Sequence, residues 1–185
     1  MEKYLSMNKN RTNIQNIQKT NFCQSNKPLV SVIVVNWNGM KYVQRCIDSL
    51  FEQDWDNLEV IVIDNGSTDG SYEYLKTQYE SRISLLRNSK NLGFGVANNQ
   101  GISIAKGNYI ALLNNDAWAT KGWLTALVNT AEGDKKIGMC SSKIYLINPQ
   151  EEKIIDNIGH LLYFDGSSRG KGRLEKDEGQ YDDET

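Results

Sequence analysis

Apolar residues along this chain alternate between two rhythms. Leu29-Val30-Ser31-Val32-Ile33-Val34-Val35 is a nearly unbroken β-branched run, which suits a strand covered on both faces, as in a parallel sheet. It stops at Asn36-Trp37-Asn38-Gly39, and from Tyr42 the apolar positions Val43, Ile47, Leu50 and Phe51 follow helical spacing. Leu58-Glu59-Val60-Ile61-Val62-Ile63 repeats the strand pattern and ends at Asp64-Asn65-Gly66-Ser67-Thr68-Asp69-Gly70, where Ser67, Thr68 or Asp69 can cap the next helix. Tyr72, Leu75 and Tyr79 mark the inner face of that helix.

The alternation continues. A short strand is predicted over 83–86, then a helix from the Asn91-Leu92-Gly93-Phe94-Gly95 turn through Ala105, closed by Gly107 in a positive-φ conformation. A fourth strand is expected over 109–113, followed by Asn114-Asn115-Asp116. A helix on Trp123, Leu124, Leu127 and Val128 and a fifth strand over 137–140 complete the pattern. Strands separated by helices at this spacing make an α/β domain with a parallel sheet and right-handed crossovers. Beyond residue 141 the pattern loosens: 143–147 and 154–164 read as strands, the latter turning at Asp165-Gly166.

Composition changes this picture mainly at the two ends. With 185 residues, 39% of them hydrophobic and 24% charged, the chain can bury one proper core. Residues 1–27 are rich in Asn, Gln, Lys and Ser, with five basic residues against Glu2 alone. They read as a disordered or weakly ordered polar tail. Residues 165–185 combine glycines with many charges and read as a mobile segment. The net charge of −2 gives no reason to expect nucleic acid as a partner. Cys23, Cys46 and Cys140 are odd in number, far apart and without a CxxC pair, which speaks against a disulfide framework and a zinc site. The expected location is the cytoplasm, with room for peripheral contact at the inner face of the membrane.

Ligands of open α/β sheets bind at the carboxyl ends of the strands. Three such ends carry polar clusters here: Asn36-Trp37-Asn38, Asp64-Asn65 and Asn114-Asn115-Asp116. Turns alone do not require amides and acids to converge from three strands. A dinucleotide-binding domain is disfavoured because the first strand-to-helix turn holds only Gly39 and no GxGxxG. A calcium loop on residues 64–70 fails because Gly66 and Thr68 stand where oxygen-rich ligands belong.

Taken in order, four motifs resemble the family 2 glycosyltransferases of the GT-A fold, especially the rhamnosyltransferase-like branch. They are Val30-Ser31-Val32-Ile33-Val34-Val35-Asn36-Trp37-Asn38, Asp64-Asn65-Gly66-Ser67-Thr68-Asp69, Asn91-Leu92-Gly93-Phe94 with Asn98-Asn99-Gln100-Gly101, and Leu113-Asn114-Asn115-Asp116. A late stretch, Arg169-Gly170-Lys171-Gly172 with Asp177-Glu178-Gly179-Gln180-Tyr181-Asp182, resembles the same branch. The resemblance implies a Rossmann-like, mostly parallel sheet flanked by helices, with residues 28–164 as the nucleotide-sugar-binding domain, truncated before the acceptor half.

It also implies a nucleotide-sugar site. Asn36, Trp37 and Asn38 stand where the family lines its base pocket, and Asp64 and Asn65 where paired acids receive base and ribose. Asn91, Gly93, Asn98 and Asn99 lie in the third motif, where Asn98 replaces a frequent Arg. Asn114, Asn115 and Asp116 occupy the DxD-type motif, with Asp116 as the ligand of Mg2+ or Mn2+. One acid suffices when diphosphate oxygens and waters fill the rest of the shell.

The implied reaction is inverting, metal-dependent transfer of a sugar from a UDP- or dTDP-linked donor to a saccharide or lipid-linked acceptor, in bacterial surface polysaccharide synthesis. The family places its general base in a later segment. Asp156, Asp165, Asp177 and Asp182 sit in no matching motif and His160 reads as structural or solvent-facing, so the base is expected beyond Thr185. Alternatives are a truncated, inactive nucleotide-sugar-binding or interaction module and, third, a nucleotidyltransferase.

Overall fold

A computed structural model describes residues 27–147 and 152–182; the predicted N-terminal tail, apart from Lys27, lies outside them. Four parallel strands form the central sheet: β1 (Val30–Asn36), β2 (Leu58–Asp64), β3 (Ser84–Arg87) and β4 (Tyr109–Asn114), in the order β3-β2-β1-β4. The helices α1 (Val43–Phe51), α2 (Ser71–Tyr79), α3 (Phe94–Ile104) and α4 (Trp123–Gly133) alternate with them along the chain. This is the mostly parallel, helix-flanked α/β architecture expected, and every one of the four strands falls where an apolar run predicted it.

Side-chain alternation along β1 builds two cores. Val30, Val32 and Val34 join Val60 and Val62 against Val43, Ile47 and Leu50 of α1, Leu75 of α2 and Leu124 and Val128 of α4. Ile33, Val35, Ile61 and Ile63 face the opposite side, where Ala97 of α3 covers them. Both faces of β1 are therefore dry, which is why its sequence is apolar without a period of two. Gly101 lets α3 settle closely on the sheet: a Cβ there would lie 2.6 Å from Ile33 Cγ2. β4 is one of the sheet's two edge strands among the described residues, and its Ile110 and Leu112, on the α3 side, stay 42% and 49% exposed.

Register then decides where the strand tips fall. Asn36 pairs with Asp64, Val35 with Asn114, and Asp64 with Arg87. The ends of all four strands are thereby level along one margin of the sheet.

Several local expectations need correction. Residues 137–140 form no strand: Lys136 N–H donates to Asp134 Oδ1 and Ile137 N–H to Asp134 O, so an Asx turn bends the chain, and Met139 is 91% exposed. Gly107 does not take a positive φ. It is needed for space instead, because its Cβ would meet Ser31 Oγ at 2.5 Å and Ser31 N at 2.6 Å. Ser67 and Thr68 do not cap α2; Gly70 (φ 85°) precedes that helix, while Asp69 Oδ1 accepts from Ser71 N–H and Oγ–H. The long strand expected over 154–164 is two, β6 (Ile154–Asn157) and β7 (His160–Leu162), broken at Gly159 (φ 137°).

β6 pairs antiparallel with β5 (Ile144–Leu146), and β7 with β8 (Ser168–Gly170) across a turn at Gly166. The segment after residue 165 thus contributes a strand, because Asp165 Oδ1 holds Ser167 in a tight turn. Among the described residues no helix is long and apolar enough to cross a membrane.

Candidate functional site

The level strand tips enclose a pocket of about 450 Å3, lined by Val35, Trp37, Asn65, Asn91, Phe94, Asn114, Asn115 and Asp116, a size that suits a small-molecule ligand. β1 delivers Trp37, β2 Asn65, the β3–α3 turn Asn91 and Phe94, and β4 the three residues 114–116. Trp37 and Phe94 keep more than half of their surface exposed, at 54% and 57%, so two aromatic rings are open to a planar ligand.

Asn36 and Asp64 are placed differently. Both are fully buried and absent from the pocket's lining. Asn36 Nδ2, with two hydrogens to give, lies within hydrogen-bonding reach of three acceptors, Asp64 Oδ1 (3.0 Å), Ser71 Oγ (2.8 Å) and Ser67 Oγ (3.2 Å), while Asn36 Oδ1 accepts from Asn115 Nδ2 (3.1 Å). Asp64 Oδ2 accepts from Ser67 N–H (3.2 Å) and lies 3.8 Å from Arg87 Nε. A buried carboxylate needs such partners to remain in place. These two residues tie the tips of β1, β2 and β4 together from one bond behind the pocket. Asn38, at φ 50°, accepts at Oδ1 from Thr68 N–H (2.9 Å) and donates its own N–H to Ser67 Oγ (2.9 Å). It fastens the 67–69 loop to the tip of β1.

Gly93 (φ 88°) gives the chain its turn into α3. Asn98 is buried and donates through Nδ2 to Phe94 O (3.0 Å). Neither Gly93, Asn98 nor the exposed Asn99 lines the pocket. Val35, Phe94, Asn88, Ser67, Ser71 and Gly39 belong to the site or its supports without having been singled out for it; in sequence Val35, Ser67 and Phe94 lie inside one of the motifs, and Gly39, Ser71 and Asn88 only near one.

Asp116 is the pocket's one carboxylate, and among the described residues no hydrogen bond or ion pair engages it. Just behind the tip of β4, Cys46 Sγ lies 3.4 Å from Asn114 O. Burial, and after it the charge of Asp116, pushes the Cys46 thiol up to about 12, so it stays protonated and inert at neutral pH. A free carboxylate among amide oxygens is a hard-oxygen donor set that fits Mg2+ or Mn2+, with a ligand's phosphates completing the shell. Among the described residues no group of three His, Cys, Asp or Glu side chains gathers as an all-protein metal cage.

The other carboxylates considered as bases are engaged elsewhere. Asp156 pairs with Arg173 at 2.7 Å, Asp165 bonds Ser167, and Asp177 and Asp182 hold Lys143 at 2.9 and 2.7 Å. His160 is exposed on β7, 3.3 Å from Asn157 Nδ2.

Known proteins resemble this chain in sequence and fold. A family model described as glycosyl transferase family 2 matches residues 31–178. An uncharacterized glycosyltransferase of Haemophilus influenzae is 36% identical over 132 residues, covering 70% of this chain and 41% of the relative. Glycosyltransferase GlyG of Streptococcus pneumoniae is 33% identical over 115 residues, covering 60% of this chain and 38% of the relative. Among solved structures, the mannosyltransferase PcManGT from Pyrobaculum calidifontis in complex with GDP-Man and Mn2+ superposes with a TM-score of 0.56 at 27% identity, covering 69% of this chain and 38% of that one. The chain spans about two fifths of the length of each of these two curated relatives.

Proposed function

Because the chain belongs to glycosyl transferase family 2, we propose that it binds a nucleoside-diphosphate sugar for transfer, with inversion at the anomeric carbon, to a saccharide or lipid-linked acceptor in surface polysaccharide synthesis. The rhamnosyltransferase-like branch is part of this reading, supported by the third and late motifs. So is action at the cytoplasmic side of a membrane. The observation that carries the proposal is the convergence of Trp37, Asn91 and residues 114–116 on one pocket at the carboxyl edge of a parallel sheet.

In this reading Trp37 and Phe94 receive the base, and the amides of Asn91, Asn114 and Asn115 bond ribose and phosphate oxygens. Asp116 is the residue that would hold Mg2+ or Mn2+. When bound, that ion supplies Lewis-acid neutralisation of the charge that builds on the departing diphosphate. The protein's own contribution is to fix the donor's position, with Asn36 and Asp64 keeping three strand tips from moving relative to one another. Deprotonation of the acceptor hydroxyl needs a carboxylate, and no described residue is assigned to it.

Titration calorimetry with UDP-, dTDP- and GDP-linked sugars, with and without Mg2+ or Mn2+, tests the proposal. Heat with at least one donor is expected, dependent on the cation and weakened about tenfold or more by Asp116→Asn. Absence of heat with every donor would overturn it.

A further inference from the structure

We propose that Asn65 is a positioning residue: its side chain holds the 88–93 segment in place, shapes the pocket wall through it, and leaves contact with the nucleotide to its neighbours. The consequence for binding rests on the pocket being a nucleotide site; the hold itself does not.

A carboxamide can accept two hydrogen bonds at its oxygen and donate two from its nitrogen. Asn65 uses all four. Its Oδ1 accepts from Asn88 Nδ2 and from Leu92 N–H, each at 3.0 Å. Its Nδ2 donates to Asn91 Oδ1 at 3.0 Å and Gly93 O at 3.3 Å. The orientation of the amide follows from its partners, because a backbone N–H can only donate and a backbone carbonyl can only accept. With 2% of its surface exposed, Asn65 has neither an open bonding position nor room to turn toward a ligand.

The backbone tells the same story. Gly66, at φ 79°, lies so close to the 88–93 segment that a Cβ would come within 2.6 Å of the Lys90 carbonyl carbon. Asn88 carries the hold onward: its Nδ2 donates to Gln100 Oε1 (2.8 Å) and its Oδ1 accepts from Gln100 Nε2 (2.9 Å). Asn91 Oδ1 also accepts from Gly93 N–H (2.8 Å). A chain of amides thus joins the tips of β2 and β3 to the entry of α3. Asn91 and Phe94, which line the pocket, stand where this chain of bonds puts them.

Asn65→Asp is the informative substitution. It keeps the oxygen that serves Asn88 and Leu92, but turns a second oxygen toward two acceptors, Asn91 Oδ1 and Gly93 O. Four charged groups stand near: Asp64 on β2 with Arg87 on β3, Lys90 in the turn, and Asp116 beyond β4. From α3 come Phe94, Asn98 and Gln100, none of them titratable. All are common to both proteins, so comparison at each pH isolates the new carboxyl.

In the ligand-free variant, amide exchange at Leu92 and Gly93 should quicken about tenfold while the central strands keep their protection. Donor affinity should fall about tenfold relative to the unaltered protein near pH 8. That gap should close toward pH 5, because a protonated carboxyl can again donate one bond; a merely loosened fold would show no such recovery. Gln100→Ala, which touches no pocket residue, should shift exchange in the same direction by a smaller factor.

Unchanged exchange at Leu92 and Gly93 would overturn the proposal, as would a variant that binds donor as well as the unaltered protein near pH 8. Absence of donor binding by the unaltered protein would sink the proposed function, while exchange alone would still decide whether Asn65 holds the loop.

Discussion

A methyl group added to Gly39 would lie 2.3 Å from both Asn115 Nδ2 and Asn36 Oδ1, on the hydrogen bond that joins the tip of β1 to the tip of β4. Neither partner can retreat cheaply. Asn36 is buried and its amide nitrogen is committed to Asp64, Ser67 and Ser71. Gly39→Ala is therefore expected to cost about 1–3 kcal/mol of stability, read as a lower urea midpoint, and to weaken donor binding by moving Asn115. An unchanged midpoint with unchanged affinity would refute this account. At the same scale the limit of the sequence is visible. Asn36, Asp64 and Asn65 announce a polar centre at the strand tips, but burial and bonding partners separate the residues that face the pocket from those that brace it. A linear chain shows neither. Trp37 and Asp116 were legible because each closes a strand whose apolar run could only end at the sheet's margin.

Elements were easier to read than residues wherever both strand faces are covered. β1 and β2 stand out because two dry faces demand nearly unbroken β-branched runs, β4 because its apolar run stops at Asn114, and α1 because Val43, Ile47 and Leu50 share one stripe. The short apolar stretch at 137–140 misled because an Asx turn at Asp134 outcompetes extension when no neighbouring strand holds the chain. Gly101 shows how packing overrides propensity within an element. Replacing a helical glycine by alanine gains about 1 kcal/mol of intrinsic helix stability. The new methyl would meet Ile33 Cγ2 at 2.6 Å, and Ile33 is a fully buried residue of a central strand. Overpacking of this kind costs about 1–3 kcal/mol. Gly101→Ala should thus be destabilising in urea titration, whereas a stabilised variant would show that α3 can lift from the sheet without penalty.

On the scale of the whole molecule, backbone bonds to β6 tie back the segment after β8, and a charged cluster adds to them. The Tyr145 hydroxyl and then the Lys143 ammonium hold the Asp177 carboxyl at about 2, below its ordinary 3.8. Because the folded form binds this proton less tightly than the unfolded chain, the tie contributes stability above about pH 4 and loses it as pH falls toward about 2. Hydrogen exchange should show the 172–182 backbone protected at neutral pH and opening across that acid window, ahead of β1 and β2. Equal protection of this segment on both sides of the window would contradict the assignment.

Among the described residues β4 ends the sheet on one side, and its outer backbone margin lies beside the half-exposed Ile110 and Leu112. A ladder left open next to greasy side chains invites copies of the molecule to zip together when crowded. A charged residue in place of Ile110 or Leu112 is therefore expected to raise the concentration at which this protein clouds from solution, while the pocket on the carboxyl margin is left alone.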